Sequence, residues 1–285
     1  MITVTGTSGH LGRLAVEALL DRGVPAGEIV AVARTTTKVA DLAARGVQVR
    51  HGDYADPASL GAALAGTDVL VLVSSNEIGQ RLPQHRNVVD AAVAGGVGRI
   101  VYTSILKADT SGAALAGEHK ATEEAILASG LPFTFLRNGW YVENYTENLA
   151  PAFQFGAIFG AARDGRIAAA TRADYAAAIA VVAAGSGHEN RIYELGGDQP
   201  FTMAELAAEV SDRSGRQIAY TDLPADEYEK VLVQAGLPQP YAAVLADSDV
   251  AVARGDLTTD STALRELIGR PTTGLGDAVA LALKA

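Results

Sequence analysis

The chain has 285 residues, of which 48% are hydrophobic and 20% charged, with a formal net charge of −10 at pH 7 and no cysteine. This composition is typical of a folded globular protein, and it excludes disulfides and thiolate chemistry. The acidic balance argues against a nucleic acid partner, because binding a duplex requires a basic face. The five histidines show no metal-ligand spacing, so no metal is predicted.

No apolar run approaches the roughly 18–20 residues that span a bilayer, so no membrane partner is predicted. A strand predicted from residue 2 leaves no room for a signal peptide, and we therefore expect a cytoplasmic protein.

The first twelve residues carry the most informative local pattern. An apolar strand at residues 2–5 runs into three regularly spaced glycines, and an amphipathic helix follows from residue 10. A turn without Cβ atoms lets backbone amides approach a pyrophosphate, and the helix N-terminus adds its partial positive charge. We therefore predict that a dinucleotide binds at this turn. The residues predicted to contact it are Gly6, Thr7, Ser8, Gly9, His10, Leu11 and Gly12.

Short apolar strands alternate with helical patterns along the first half of the chain. Strands are predicted at residues 2–5, 29–33, 47–50, 69–73, 100–103 and 133–136. Helices are predicted at residues 10–22, 37–45, 57–65, 79–95 and 116–129. This alternation predicts an α/β fold with a Rossmann-type doubly wound parallel sheet, covered by helices on both faces.

The second half of the chain is less regular. Helices are predicted at residues 172–182, 202–213, 225–236, 240–253 and 261–268, and strands at residues 191–195 and 217–221. We predict an NAD(P)-binding Rossmann domain over residues 1–150 and a smaller α+β substrate lobe over residues 151–285. Segments near residues 165–197 are expected to return to the Rossmann sheet.

Polar residues follow several of the predicted strands, at the sheet edge where doubly wound folds bind ligands. Arg34 stands after the second strand, where an NAD-preferring site carries an acid. A guanidinium suits a 2′-phosphate, so NADPH is the predicted cofactor and NADH is less favoured. Asp53 after the third strand is predicted to contact adenine or to start a turn. The hydroxyl residues after the fourth and fifth strands either contact the nicotinamide half or form turns: Ser74, Ser75 and Thr103.

Residues after the sixth strand are candidates for the acceptor pocket, because they follow that strand on the ligand side. Asn138, Tyr141 and Asn144 provide polar groups there. Trp140 and Phe159 provide either apolar walls or ordinary core packing. The acids Glu77 and Asp109 show no partner in the sequence, so a mechanism with paired carboxylates is not predicted.

Segments spread over essentially the whole chain resemble one family. They are residues 5–12, 52–54, 74–88, 102–104, 136–144, 172–175, 246–250 and 267–272. Together they resemble the NmrA-like branch of the atypical short-chain dehydrogenase/reductases. The resemblance implies an NADPH-dependent reductase that transfers a hydride directly to a quinone, without flavin or metal. It also implies that the main chain near Asn138, Gly139, Trp140 and Tyr141 borders the cofactor.

The chain departs from the wider superfamily at its usual acid–base pair. Many short-chain dehydrogenases use Tyr-x-x-x-Lys, but Leu115 and His119 occupy these positions here. Reduction of a ketone by that route is therefore not expected. His119 either contacts the nicotinamide ribose or is a buried structural residue. If it titrated near its ordinary pKa of about 6.5, it would add a shallow inflection to the rate profile.

The catalytic residues are not identified from the sequence, and Asn138, Tyr141 and His119 are only weak candidates. Tyr141, Asn144 and Phe159 are the predicted substrate contacts. Two alternatives to quinone reduction stay open. One is a regulatory protein of the NmrA type that senses NADP(H) without turnover. The other is a reductase of another conjugated electrophile, such as a triphenylmethane dye. The oligomeric state is not readable from the sequence.

Overall fold

The computed structural model describes residues 1–284 and divides them into two compact units, each discontinuous in sequence. Unit 1 consists of Met1–Ile105, Glu118–Asn138 and Arg172–Tyr193. Unit 2 consists of Leu106–Gly117, Gly139–Thr171 and the residues from Glu194 onward. The domain boundary placed at residue 150 stays a prediction.

The strands form one large sheet and one small one. Their bounds are β1 (Ile2–Val4), β2 (Ile29–Ala33), β3 (Gln48–His51), β4 (Val69–Leu72), β5 (Arg99–Ile105), β6 (Phe133–Asn138), β7 (Ala157–Gly160), β8 (Arg191–Leu195) and β9 (Ala219–Asp222). The large sheet has seven strands in the order β3-β2-β1-β4-β5-β6-β8, and its first five pairings are parallel. Strands β7 and β9 pair in parallel in the small sheet. The predicted Rossmann-type sheet is confirmed.

The helices follow the strands in the expected alternation. Their bounds are α1 (His10–Asp21), α2 (Ala40–Ala44), α3 (Pro57–Ala63), α4 (Arg81–Ala94), α5 (Ala114–Ala128), α6 (Glu143–Thr146), α7 (Ala150–Phe155), α8 (Arg172–Ala184), α9 (Met203–Ser214), α10 (Ala225–Gln234), α11 (Gln239–Ala253), α12 (Ala263–Ile268) and α13 (Leu275–Ala282). Within residues 1–284, none of these helices has the length and apolar character needed to cross a membrane.

The core of unit 1 lies on the faces of the parallel sheet. Every residue of β2 and of β5 is buried, as expected for parallel strands covered by helices on both faces. Helix α1 buries Leu11, Ala15, Val16 and Leu19 and packs against α8. This packing holds α1, which follows the glycine turn, against a helix from a distant part of the sequence.

The structure corrects several predicted elements. The helix predicted at residues 37–45 is instead a 3-10 turn at Thr36–Val39 followed by α2, because a run of three threonines is unfavourable for an α-helix. Four α-helices or strands were not predicted, and all are short: α6, α7, β7 and α13. An element of four to eight residues spans too few periods to show a helical or strand pattern.

Candidate functional site

The glycine turn links β1 to α1, and its three glycines have different roles. Gly6 has a φ of +65°, in the left-handed region that favours glycine. At Gly12 a Cβ would lie 2.5 Å from the Gly6 carbonyl oxygen, so a side chain there would break the turn. At Gly9 a Cβ would meet only that oxygen, at 3.3 Å. A side chain at Gly9 would therefore require only a small shift of that oxygen, and its absence leaves the space beside the turn open for a ligand.

The residues between these glycines differ in accessibility. Thr7 is buried, and its backbone N–H and hydroxyl donate to Val32 O, at 3.1 and 3.0 Å, which anchors the turn to β2. Leu11 is buried in the core, so only its main chain is available to a ligand. Ser8, Gly9 and His10 are exposed, and no side chain caps α1. The N–H groups in the first turn of α1 are suited to binding an anion.

Asp53 and Tyr54 follow β3 and stabilise this edge of the sheet. The Asp53 carboxylate accepts from the Ala55 N–H at 2.9 Å, so the predicted turn role is observed and the adenine contact stays a prediction. The Tyr54 hydroxyl lies 2.8 Å from Val73 O and also bonds the Thr5 hydroxyl. Burial raises the pKa of Tyr54 far above its ordinary value, so this phenol is neutral at physiological pH.

Arg34 extends from the end of β2 and forms an ion pair. Its Nη1 lies 2.7 Å from Glu77 Oε1, and the two side chains are 58% and 41% exposed. Sequence reasoning left Glu77 without a partner because the two residues stand 43 positions apart. Glu77 Oε2 also accepts from Gln84 Nε2 at 2.6 Å. The predicted cation for the cofactor is therefore already engaged with a carboxylate.

The loop between β4 and α4 is held by hydrogen bonds from neighbouring elements. The Ser74 N–H donates to Thr103 Oγ1 and the Ser75 N–H to His85 Nε2, each at 2.9 Å. Arg81 Nε donates to Ser75 O at 2.8 Å. The serines and the threonine therefore shape this loop, and their predicted contacts with the cofactor stay predictions.

Two buried histidines lie behind this loop. His85 accepts from Ser75 at Nε2, so its proton is on Nδ1, which lies 3.0 Å from Thr122 Oγ1. Burial, together with Arg81, lowers the pKa of His85 to about 3. His119 Nδ1 lies 2.8 Å from the hydroxyl of buried Tyr102, and burial lowers the pKa of His119 well below 6.5. Both imidazoles are therefore neutral at physiological pH, and no inflection near pH 6.5 is expected from His119.

Asn138, the last residue of β6, is 2% exposed, and neither its Nδ2 nor its Oδ1 forms a hydrogen bond within residues 1–284. A buried amide without partners is costly and calls for an explanation, such as a ligand. The adjacent Arg137 is fixed by the buried Glu123, with Nη2 2.7 Å from Oε2. The Ser104 hydroxyl donates to the same carboxylate at 2.6 Å. These contacts fix the end of β6, and therefore the backbone that carries Asn138.

The segment after β6 belongs to unit 2 and is anchored there by main-chain bonds. The Gly139 N–H donates to Leu195 O at 2.7 Å, and Trp140 O accepts from the Ala170 N–H at 3.1 Å. Tyr141 forms an isolated parallel bridge with Ala170. These hydrogen bonds hold the main chain of residues 139–141 in an extended conformation.

The predicted substrate residues differ in exposure. Tyr141 is half-buried and Asn144 exposed. Phe159 is half-buried on β7, and the ring of the exposed Phe155 stands edge-on to it with centroids 6.3 Å apart. Sequence reasoning missed Phe155, although its spacing of four residues from Phe159 was visible.

Comparison with known proteins places this geometry in a family. The model of the NmrA-like family matches residues 1–266. Quinone oxidoreductase 2 of Escherichia coli strain K12 is 50% identical over 279 residues, which cover 98% of this chain and 97% of that protein.

Two solved structures extend the match. The E. coli NADPH-dependent quinone oxidoreductase QOR2 complexed with NADPH has a TM-score of 0.96 at 49% identity, covering 99% of this chain and 100% of that one. The Citrobacter sp. triphenylmethane reductase complexed with NADP(H) has a TM-score of 0.94 at 39% identity, over 99% and 100% of the two chains. With a family match over most of its length and a full-length relative at this identity, the chain belongs to the NmrA-like family.

Proposed function

We propose that this protein is an NADPH-dependent oxidoreductase that reduces quinones by direct hydride transfer. The support from relatives is the 50% identity to an E. coli quinone oxidoreductase and the near-identical fold of that enzyme's NADPH complex. The triphenylmethane reductase is less similar, at 39% identity, and a dye is therefore the second choice of acceptor.

The residues present fit NADPH. The turn at Gly9 leaves room for a pyrophosphate beside the exposed N-terminus of α1. Arg34 would hold the 2′-phosphate, since a guanidinium forms charge-assisted hydrogen bonds to it. The buried amide of Asn138 would complete its hydrogen bonds with polar groups of the nicotinamide half or of the acceptor.

When bound, NADPH supplies a hydride equivalent to the acceptor. The residues of this chain then have to position the acceptor and stabilise the charge that develops on its oxygen. Asn138 Nδ2 is a neutral donor, fixed at the end of a rigid strand, and such preorganised donors contribute strongly to catalysis. In the overall reaction a quinone, NADPH and one proton give a hydroquinone and NADP⁺, with the proton drawn from solvent.

His119 and Tyr102 have a supporting role in this proposal. Burial lowers the pKa of the imidazole and raises that of the phenol, so both groups stay neutral while bonded to each other. A neutral pair positions the neighbouring backbone without exchanging protons with solvent. Tyr141, Asn144 and Phe159 are proposed to contact the acceptor.

The observation that carries the proposal is the unpartnered amide of Asn138 at the carboxyl end of β6. The test is to follow NADPH absorbance with the purified protein and a benzoquinone, a naphthoquinone or a triphenylmethane dye. Reactions without acceptor and without protein are the controls. We expect both quinones to be reduced faster than the dye. NADPH binding without turnover of any acceptor would instead identify a sensor and refute the enzymatic proposal.

A further inference from the structure

The Arg34–Glu77 ion pair spans the end of one strand. Arg34 follows β2 directly, and Glu77 lies in the loop between β4 and α4. In the sheet, β1 lies between β2 and β4 and is parallel to both. Neighbouring strands are about 4.8 Å apart, so the pair bridges loops that begin about 10 Å from each other. It therefore crosses the carboxyl end of β1, where the glycine turn begins.

The carboxylate of this pair is held in place. Its Oε2 accepts from Nε2 of Gln84, a side chain only 6% exposed. The Glu77 N–H donates to Ser75 Oγ at 3.2 Å, and Ser75 Oγ donates in turn to Gln84 Oε1. An ordinary surface ion pair loses side-chain entropy when it forms, but here the carboxylate is already ordered. Glu77 is therefore a stronger partner for Arg34 than its exposure alone indicates.

We propose that Glu77 is a specificity-determining residue, which competes with the 2′-phosphate of NADPH for Arg34. This inference rests on the proposed function, in which Arg34 holds that phosphate. The carboxylate occupies one guanidinium nitrogen at 2.7 Å and carries the same sign of charge as the phosphate. NADH lacks the 2′-phosphate and does not compete with the carboxylate for Arg34. Glu77 therefore lowers the affinity for NADPH and leaves the affinity for NADH nearly unchanged. Because the ion pair re-forms when the cofactor leaves, Glu77 also favours release of NADP⁺.

The test is the Kd of NADPH and of NADH for Glu77→Gln, measured by titration calorimetry. Glutamine keeps the shape and can still accept from Gln84, but it loses the charge. We expect NADPH to bind roughly two- to tenfold more tightly, the effect of removing one competing ion pair, and NADH to change by less than about twofold. In an Arg34→Ala background the same substitution should change the Kd of NADPH by less than about twofold, because only the screened repulsion between the carboxylate and the phosphate is left.

Glu209→Gln is the matched control, because it removes one carboxylate from the partly exposed pair with Arg213 in unit 2. Weaker NADPH binding by Glu77→Gln would overturn the inference and show that Glu77 orients Arg34 for the phosphate. Equal tightening of both cofactors, or the same effect in Glu209→Gln, would also overturn it. A wild-type protein that binds no NADPH would refute the proposed function itself, before any variant is compared.

Discussion

At the scale of single residues, we expect Gly9 to be needed for binding the cofactor and Gly12 to be needed for folding. A Cβ at Gly9 meets only one backbone oxygen, at 3.3 Å, whereas one at Gly12 would lie 2.5 Å from it. We therefore expect Gly9→Val to unfold cooperatively at nearly the wild-type temperature but to lose the thermal shift that NADPH gives the wild type. Gly12→Ala should lose more than about 2 kcal/mol of unfolding free energy, because the overlap is with backbone. A normal NADPH shift in Gly9→Val would show that the pyrophosphate binds elsewhere.

The buried amide of Asn138 is expected to lower the stability of the protein and to raise its activity. Its amide is buried without hydrogen bonds, so replacing it by a similar-sized apolar side chain removes an unfavourable burial. Asn138→Leu should raise the free energy of unfolding by about 1–3 kcal/mol and lower kcat/KM for a benzoquinone more than about tenfold. Chemical denaturation and steady-state rates check the two effects. A variant that is less stable and fully active would assign the amide a purely structural role.

Asp249 on α11 makes stability depend on pH in an unusual direction. It is 6% exposed, its Oδ2 accepts from the Ala161 N–H at 2.8 Å, and burial raises its pKa to about 6. Between the unfolded pKa of about 3.9 and this value, the folded state holds a proton that the unfolded state releases. The contribution of Asp249 to stability therefore falls as pH rises through this window, and the penalty persists above it.

Asp249→Asn should remove this penalty, since an amide oxygen can still accept from Ala161. We expect the variant to melt at a higher temperature than the wild type at pH 8, by the equivalent of about 1–3 kcal/mol, and to lose that advantage near pH 4. Asp247→Asn is the control, because that half-buried carboxylate also accepts a backbone N–H, from Ala114. A pH-independent difference between Asp249→Asn and wild type would contradict the titration.

At the scale of elements, the side chain of Arg99 on β5 caps the C-terminal end of helix α8. Its buried guanidinium donates through Nη2 to Val182 O, Ala183 O and Gly185 O, at 2.8, 3.1 and 2.8 Å. Val182 and Ala183 lie in the last turn of α8, where carbonyls generally lack intrahelical partners, so Arg99→Met should lower the free energy of unfolding by about 2–4 kcal/mol. Urea denaturation measures the loss, with the exposed Arg191→Met as control. Equal midpoints for the two variants would show that α8 does not depend on this cap.

The elements that could be predicted are those with a repeated pattern. Strands β1, β2, β4, β5 and β6 are rich in apolar residues, and each lies within two residues of its predicted bounds. The short elements around residues 143–160 could not be predicted, because the chain there turns too often for any period to develop. Helix α13 follows Pro271 and Gly274, which are typical of a loop, and only packing in unit 2 reveals it.

The candidate site also has features that the sequence could predict and features that it could not. The placement of the glycine turn after β1 and of Arg34 after β2 was predictable from the strand pattern, whereas their contacts with a cofactor stay predictions. The partner of Arg34 was not, since Glu77 reaches it only through the strand order of the sheet. The sequence also could not show that the hydroxyls of Thr7 and Thr103 form hydrogen bonds with the main chain. A hydroxyl can form a hydrogen bond with a turn or with a ligand equally well.

At the scale of the whole molecule, the strand order explains why one site can draw on distant parts of the sequence. Strands β1, β2, β4, β5 and β6 are parallel, so their carboxyl ends share one edge of the sheet. Arg34, Ser75 and Asn138 follow or end three of these strands, and together they supply a cation, a hydroxyl and an amide. Loops that follow different strands can therefore contribute to one site at this edge of the sheet.

The pairing of α1 with α8 also governs how the nascent chain folds. About 150 residues separate the two helices, so a ribosome adding about 5–20 residues per second needs roughly 8–30 s to deliver the second after the first. During that interval the residues of α1 that pack against α8 lack their native neighbour. Synthesis that pauses before residue 172 prolongs the exposure and favours capture by a chaperone or aggregation. Codon usage between the two helices is therefore expected to influence the yield of active protein without altering a single amino acid.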